Sequence, residues 1–140
     1  ERPALPREDL EAMGRALSRL QVDNGVAVIH LGEINREDVI PQLAEFCLQI
    51  EGVDWSVVSG LVKDRVVISV RNVGYVKSAG EIMKRLYDDI GSAGGHRAMA
   101  KAVVPLDRFK QRFGEVSEKV IREAMLPMIV DRDQIELELH

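Results

Sequence analysis

Hydrophobic positions recur along this chain at two spacings, and each change of spacing marks a new predicted element. Near the start, apolar residues three and four positions apart form one stripe of a helix. The helix is predicted to begin with acid in its first turn, at Arg7-Glu8-Asp9, and to end before Asn24-Gly25. We expect the stripe to dock on this domain, on another domain or on a partner chain. Its members are Leu10, Met13, Leu17 and Leu20.

A short β-branched run over residues 26–31 predicts a buried strand. Helical periodicity then returns and predicts a helix that Asn35 caps and Gly52 stops. The predicted buried face of this helix consists of Val39, Ile40, Leu43, Phe46, Cys47 and Ile50.

Two strands are predicted next, over residues 53–62 and 65–71, joined by a turn as an antiparallel hairpin. In the second strand, successive side chains alternate between the two faces of the sheet. Arg71 ends this mostly apolar strand, where a solvated cation is not the expected choice.

The second half of the chain again contains both predicted helices and predicted strands. A helix is predicted over residues 79–90, followed by a glycine-rich loop at 91–95 and a short strand at 102–104. Asp107 is predicted to cap a long last helix, and residues 128–130 form either an edge strand or part of the tail. The inward face of the last helix is predicted to comprise Phe109, Phe113, Val116, Val120 and Ala124.

This order of elements predicts an α+β fold, with a mixed sheet of about five strands and helices packed against it. We divide the chain into a linker with a connecting helix (residues 1–23), one domain (24–127) and a tail or edge strand (128–140). Because the chain lacks an initiator Met, we expect it to be a fragment or a processed product.

Composition narrows the choice of function. The 140 residues are 46% hydrophobic and 30% charged, with a net charge of -4, which does not favour a generic basic nucleic-acid surface. No apolar run is long enough to cross a bilayer, so we expect no membrane partner. The single cysteine, Cys47, is expected to be a buried thiol and is compatible with a reducing cytoplasm.

The glycine-rich loop carries the candidate chemistry. Glycines allow a ligand to approach the backbone N–H groups closely, and amides at the start of a helical turn bind anions. Ser92, His96 and Arg97 add side-chain donors at the same place. A phosphate site is one interpretation, and a tight turn with a solvated arginine is the other.

Two motifs together resemble the DHH-associated domain of DHH-family phosphoesterases. Gly94-Gly95-His96, followed by the strand at 102–104, is similar to the GGH motif of that family, and residues 67–72 are similar to its strand ending in Ser-x-Arg-Ser. The family implication is a two-lobed phosphodiesterase, in which an N-terminal DHH lobe binds manganese through Asp and His. The resemblance implies no cofactor in the present chain.

The same resemblance implies that this lobe holds the phosphate-bearing end of a nucleotide or short oligonucleotide. The residues implied or proposed for binding are Arg71, Ser92, Gly94, Gly95, His96 and Arg97, with Asn72, Tyr75 and Lys101 as further candidates for the pocket. Two of these depart from the family pattern, since Lys101 stands where glycine is usual and Asn72 replaces serine. These departures leave the identity of the substrate open.

No metal-ligand spacing and no Asp-His-His occur in the chain, so we expect no catalytic residue, no metal ligand and no turnover by these residues alone. The expected partners are a phosphate-ester substrate and the missing DHH domain of the same protein. One alternative is a stand-alone nucleotide-sensing module, and another is a dimerisation module that uses the N-terminal stripe. A similar domain also follows the editing region of alanyl-tRNA synthetases, although the Ser-x-Arg strand favours the phosphoesterases.

Overall fold

A computed structural model describes residues 4–73 and 77–130 of the chain. In these ranges helices cover both faces of one mixed sheet, which confirms the predicted α+β class. The helices are α1 Arg7–Ser18, α2 Val39–Cys47, α3 Ala79–Tyr87, α4 Leu106–Phe113 and α5 Glu118–Ile129. The strands are β1 Val22–Asp23, β2 Val26–Glu33, β3 Trp55–Val62, β4 Arg65–Asn72, β5 Ser92–Gly95 and β6 Met99–Pro105.

The described sheet has six strands in the order β1-β2-β3-β4-β6-β5. Only β2 and β3 pair in parallel, and α2 makes the crossover between them. The predicted hairpin of β3 and β4 is confirmed, and its turn residue Lys63 has a φ of 58°. The sequence prediction missed β1, because we read Asn24-Gly25 as a helix stop. It is a hairpin turn with both residues at positive φ.

Two hydrophobic cores lie on opposite faces of the sheet. The larger core joins one face to α3, α4 and α5, and it includes Trp55. The smaller core joins the other face to α1 and α2. Within the described ranges, α1 and α2 leave β6 and β5 partly uncovered on their side of the sheet, where Met99 and Lys101 are exposed.

Two predictions for α2 are wrong, and the stripe of α1 is divided between the core and the surface. Leu10 is 57% exposed, because the side of α1 that faces the sheet carries Ala12 and Ala16, whereas Met13, Leu17 and Leu20 pack against the smaller core. Phe46 is 53% exposed, because the side of α2 that faces the sheet carries Leu43 and Cys47, and Cys47 is fully buried as predicted. Asn35 does not cap α2, which begins four residues later at Val39.

The C-terminal half departs from prediction as well. The long last helix is interrupted at Gly114, whose φ is 90°, and α5 begins after Ser117, whose hydroxyl accepts from the Val120 amide at 3.2 Å. Asp107 lies inside α4 and is not its cap. Residues 128–130 continue and terminate α5 and form no strand, while Pro127 is accommodated inside the helix. On α5, Ile121 and Met125 are fully buried, Val120 packs partly buried against the larger core as predicted, and Ala124 is only partly buried.

Among the described residues, no helix is both long enough and apolar enough to cross a membrane.

Candidate functional site

The glycine-rich segment is an edge strand and not a loop before a helical turn. Ser92–Gly95 forms β5, which pairs antiparallel with β6 from Ser92 opposite Val103 to Gly95 opposite Ala100. The chain then turns through residues 96–98 and enters β6 at Met99. The helix N-terminus that we predicted at this place is therefore absent, and the candidate anion donors here are side chains and the backbone amides of the strand.

The turn after β5 is held against the start of α3. The first amides of that helix, Ala79 and Gly80, donate to the carbonyl oxygens of Arg97 and His96 at 2.9 and 3.0 Å. A Cβ on Gly80 would lie 2.8 Å from the carbonyl oxygen of Gly95, so only glycine permits this approach. The turn thus caps α3, and α3 in return fixes the position of the turn.

The two glycines of the GGH motif have different surroundings. A Cβ on Gly95 would lie 2.4 Å from the Met99 carbonyl oxygen, and the φ of Gly95 is 150°. A Cβ on Gly94 would meet only the end of the Lys84 side chain, at 3.6 Å. The fold therefore requires Gly95, whereas it does not require Gly94.

Asn72 stabilises the turn between β5 and β6 by hydrogen bonds. Its side chain is buried, and its Nδ2 donates to the carbonyl oxygens of Arg97 and Lys77 at 2.9 and 3.1 Å. The Asn72 amide also donates to Ala98 at 3.0 Å. Asn72, which stands where the family has serine, therefore connects β4 to the β5–β6 turn and to the segment before α3.

The guanidinium of Arg71 is only partly paired within the described part of the chain. It lies on the α2 side of β4, since its cross-strand neighbour Ser56 donates to the Ala44 carbonyl of α2 at 2.5 Å. The side chain is 24% exposed, and its ion pair is a loose one, 3.9 Å from Nη2 to a carboxylate oxygen of Glu45. Its Nε is buried without a hydrogen-bond partner among the described residues.

Strand register places four of the predicted residues on one face of the sheet. Lys101 of β6 pairs with Gly94 of β5 on one side and with Ser69 of β4 on the other. Ser69 is two positions from Arg71 along β4, so the two side chains lie on the same face. Ser92 follows on the same face of β5, opposite Val103. The structure thus brings Arg71, Lys101, Gly94 and Ser92 onto the open part of the α2 face.

Lys101 already has a strong partner. Its Nζ donates to Glu37 at 2.6 Å, and Arg65 donates to the other oxygen of the same carboxylate at 3.0 Å. The hydrogen bond from Lys101 holds the pKa of Glu37 below its ordinary value. Sequence reasoning missed both acidic residues of this surface, Glu37 and Glu45, because their spacing from the basic residues indicates no contact.

The remaining predicted site residues, His96 and Arg97, have different surroundings at the β5–β6 turn. His96 is exposed, and its backbone amide donates to the Met99 carbonyl oxygen at 2.9 Å. This bond holds the His96 backbone directly after Gly95, at the end of the sheet where Arg71 lies. The Arg97 side chain instead lines a cleft beside α3 and α5. Tyr75 lies outside the described residues.

Other titratable residues have structural surroundings. The ring Nδ1 of His30 is hydrogen-bonded to the Ser59 hydroxyl at 2.8 Å, and burial lowers the pKa of His30. Within residues 4–73 and 77–130, no group of three or more His, Cys, Asp or Glu side chains is placed to hold a metal ion.

Comparison with known proteins gives one family for most of the chain. Residues 23–124 match the model of the DHHA1 domain. An uncharacterized protein of Methanocaldococcus jannaschii is 32% identical over 133 residues, which is 94% of this chain and 27% of that protein. The chain therefore spans about a quarter of the length of this curated relative.

Solved structures agree on the fold. An exopolyphosphatase-related protein from Bacteroides fragilis superposes with a TM-score of 0.63 at 20% identity, covering 90% of this chain and 37% of that one. RecJ from Thermus thermophilus, solved in complex with Mn2+, gives 0.53 at 17% identity over 86% and 17% of the two chains. The C-Ala domain of Aquifex aeolicus alanyl-tRNA synthetase gives 0.55 at 14% identity over 76% and 96%.

Proposed function

Because the chain belongs to the DHHA1 domain family, the DHH-associated domain of DHH-family phosphoesterases, we propose that it is the substrate-binding domain of a manganese-dependent phosphodiesterase. Its ligand is a phosphate group on a nucleotide or short oligonucleotide. The manganese and the residues that break the phosphorus–oxygen bond belong to a separate DHH domain. The likeness to RecJ, solved with Mn2+, supports this choice of metal.

The incomplete pairing of Arg71 is the observation that carries the proposal. Leaving a buried cation donor without a partner costs free energy, and a phosphate oxygen supplies the missing acceptor. A guanidinium matches two phosphate oxygens at once, so a phosphate competes well with the single long contact to Glu45.

The surroundings of Arg71 suit the same ligand. Gly94 presents backbone without a side chain on the shared face, so a phosphate or sugar can lie flat against β5. Ser92 adds a hydroxyl on that face, and His96 adds an imidazole at its end. Lys101 contributes positive potential even while it donates to Glu37, because that carboxylate is shared with Arg65.

Calorimetric titration with adenosine 5′-monophosphate and adenosine 3′,5′-bisphosphate tests this proposal. We expect Arg71→Gln to weaken both ligands by about tenfold or more, since a hydrogen bond to a charged group contributes about 1.5–3 kcal/mol. His96→Ala should weaken both ligands less. Arg108→Gln on α4 removes the same charge far from the proposed site and serves as the matched control.

Two results would contradict the proposal. One is the absence of measurable affinity of the wild-type chain for either nucleotide at moderate salt. The other is equal affinity of the wild type and Arg71→Gln, which would mean that the phosphate is bound elsewhere. Nucleotide binding by a full-length protein that hydrolyses no phosphodiester in the presence of manganese would favour the nucleotide-sensing alternative.

A further inference from the structure

Strand β2 has an open edge on its outer side. β1 pairs there only with the first two residues of β2. Within residues 4–73 and 77–130, no strand pairs with residues 28–33 on that side. The Gly25 carbonyl oxygen accepts from the Trp55 amide of β3, so the backbone groups of His30, an odd number of positions later, point away from β3. An open edge of this kind can accept a further strand.

A groove lies along this edge. Its cavity of about 430 Å³ has Val28, Ile29 and His30 of β2 as its floor. One wall is the end of α1 with the residues that follow it, and the other wall is the turn into α5. The wall residues are Ala16, Arg19, Gln21, Val116, Ser117 and Glu118. The groove therefore lies between two helical layers, as the next strand of the sheet would.

The two sides of the groove differ in chemistry. The side toward α5 offers apolar surface from Val28 and Val116, which pack in the larger core, and its carboxylate, Glu118, is already paired with Arg122.

The side toward α1 is basic. Arg15 and Arg19 are exposed and one turn apart, and the Arg19 Nε donates to the Arg15 carbonyl oxygen at 3.3 Å. The charge of Arg19 acts on Glu118 across the groove, but neither arginine is in a salt bridge with a carboxylate of the described ranges.

The sequence after α5 has a pattern that matches both sides. Over residues 135–139, apolar and acidic side chains alternate as Ile-Glu-Leu-Glu-Leu. Such alternation is typical of a strand with different surroundings on its two faces. In a strand added along β2, the three apolar side chains face α5 and the two glutamates face α1, so the apolar set meets apolar surface and the acidic set meets arginines.

The length of this segment also fits. α5 has 12 residues, so its end lies about 18 Å from Glu118, which lines the groove. Arg122 pairs with Asp23 at the start of the sheet edge, which shows that α5 runs opposite to β2. Residues 131–140 lie outside the described residues, and ten residues span up to about 33 Å when extended. They can therefore turn after α5, run back beside it and reach His30.

We infer that residues 135–140 add to the open edge of β2 as a further strand, parallel to β2, and fill the groove between α1 and α5. The apolar side chains of this segment pack against Val28 and Val116, and its two glutamates pair with Arg15 and Arg19. The docked segment involves neither Arg71 nor the β5–β6 turn, so the proposed function and this assignment can fail separately.

Hydrogen exchange at the His30 amide tests the assignment. This amide should exchange at least about tenfold more slowly in the whole chain than in a chain that ends at Gln134, because the added strand supplies its hydrogen-bond acceptor. Leu137→Asp should remove the same protection, since it places a charge on the apolar side of the groove. Gln134→Asp adds the same charge just before the segment and is the matched control. Equal exchange in the whole and the shortened chain would overturn the assignment.

A spin label gives the position of the segment directly. With Cys47→Ala as the background, a nitroxide attached through His140→Cys should broaden the amide signals of His30 and Val116 and leave Ser92, on the opposite edge of the sheet, sharp. Broadening of Ser92 instead of His30 would overturn the assignment and place the segment at β5. In a mixture of spin-labelled chains and isotope-labelled chains without the nitroxide, broadening of His30 would assign the groove to the segment of a second copy.

The pairing of the glutamates with α1 has its own test. Arg19→Gln should accelerate exchange of the His30 amide by about twofold to fivefold in the whole chain and should have no effect in the chain that ends at Gln134. Arg108→Gln on α4 removes the same charge from a different cavity and is the matched control. An equal effect of Arg19→Gln in both chains would contradict this pairing.

Discussion

At the residue scale, neighbouring positions of the same motif have unrelated roles. Gly95 is required because a side chain would collide with the backbone of β6, whereas Gly94 leaves open backbone on the face that carries Arg71. Asn72, predicted only as a pocket residue, stabilises the turn through its hydrogen bond to the Arg97 carbonyl, and Arg97 lines a separate cleft. One short motif thus combines residues that the fold requires with residues that it leaves available for binding.

Substitution of the two glycines separates these roles. We expect Gly95→Ala to lower the free energy of unfolding by at least about 2 kcal/mol, because its φ of 150° and a 2.4 Å contact to Met99 both oppose a Cβ. Gly94→Ala should change the free energy of unfolding by less than about 0.5 kcal/mol and still weaken nucleotide binding. Urea denaturation measures the first effect, and equal losses in both variants would contradict this prediction.

Cys47 predicts a pH dependence of stability. Burial raises the pKa of its thiol to about 11 from an ordinary value of 9.0. The unfolded chain therefore loses this proton first, so the contribution is fully present below pH 9 and is lost as the pH rises through 11. We expect a loss of about 2 kcal/mol at pH 11. Urea denaturation from pH 8 to pH 11 should show a smaller loss for Cys47→Ala, and parallel curves would argue against it.

At the element scale, α1 is fastened to the sheet by one buried carboxylate. Asp9 accepts hydrogen bonds from the Asn35 amide at 2.9 Å, from Asn35 Nδ2 at 3.0 Å and from the Arg36 amide at 2.9 Å. These contacts connect the first turn of α1 to the segment between β2 and α2. They also explain why Asn35 does not cap α2, since its side chain is turned toward Asp9.

We expect Asp9→Leu to lower the free energy of unfolding by about 2–4 kcal/mol, because three hydrogen bonds to the buried carboxylate are lost. Glu8→Leu, one residue earlier and exposed, is the matched control and should change stability by less than about 0.5 kcal/mol. Thermal and urea unfolding of both variants measure the difference. Similar stabilities of the two variants would show that the buried carboxylate does not hold α1.

At the scale of the whole molecule, the sheet is covered on one face by three helices and on the other by two. No helix of the described ranges covers the part of the α2 face over β6 and β5, and the candidate phosphate residues lie there. An open polar face of this kind is where a second domain or a ligand can approach the strand that carries Arg71. The net charge of -4 means that affinity must come from the local arrangement of arginines.

Removal of residues 1–21 tests whether α1 is a linker or part of this domain. The truncation uncovers the smaller core, including Ile29 and Leu31 of β2, and leaves the partners of Asp9 unpaired. We expect the shortened chain to lose several kcal/mol of stability or its cooperative unfolding, as judged by urea denaturation. An unchanged unfolding midpoint would support a linker.

The sequence by itself determined those features that depend on neighbouring residues. Apolar periodicity is a local property, so it correctly predicted the α+β class, the β3–β4 hairpin, the helix of α3 and the buried state of Cys47. The two motifs predicted the DHH-associated family, which the match over residues 23–124 confirms. Arg71 at the end of an apolar strand was recognisable as unusual for the same local reason.

Only the tertiary structure decided which side of an element is covered and which residues meet. Phe46 and Leu10 fit an apolar helical stripe, but their exposure depends on the angle at which each helix lies on the sheet. The glycine-rich segment became a strand because β6 offered a partner for its backbone, and no local signal specifies that pairing. The contact of Glu37 with Lys101 and the separation of Arg97 from Arg71 arise in the same way, since residues far apart in sequence meet only when the sheet forms.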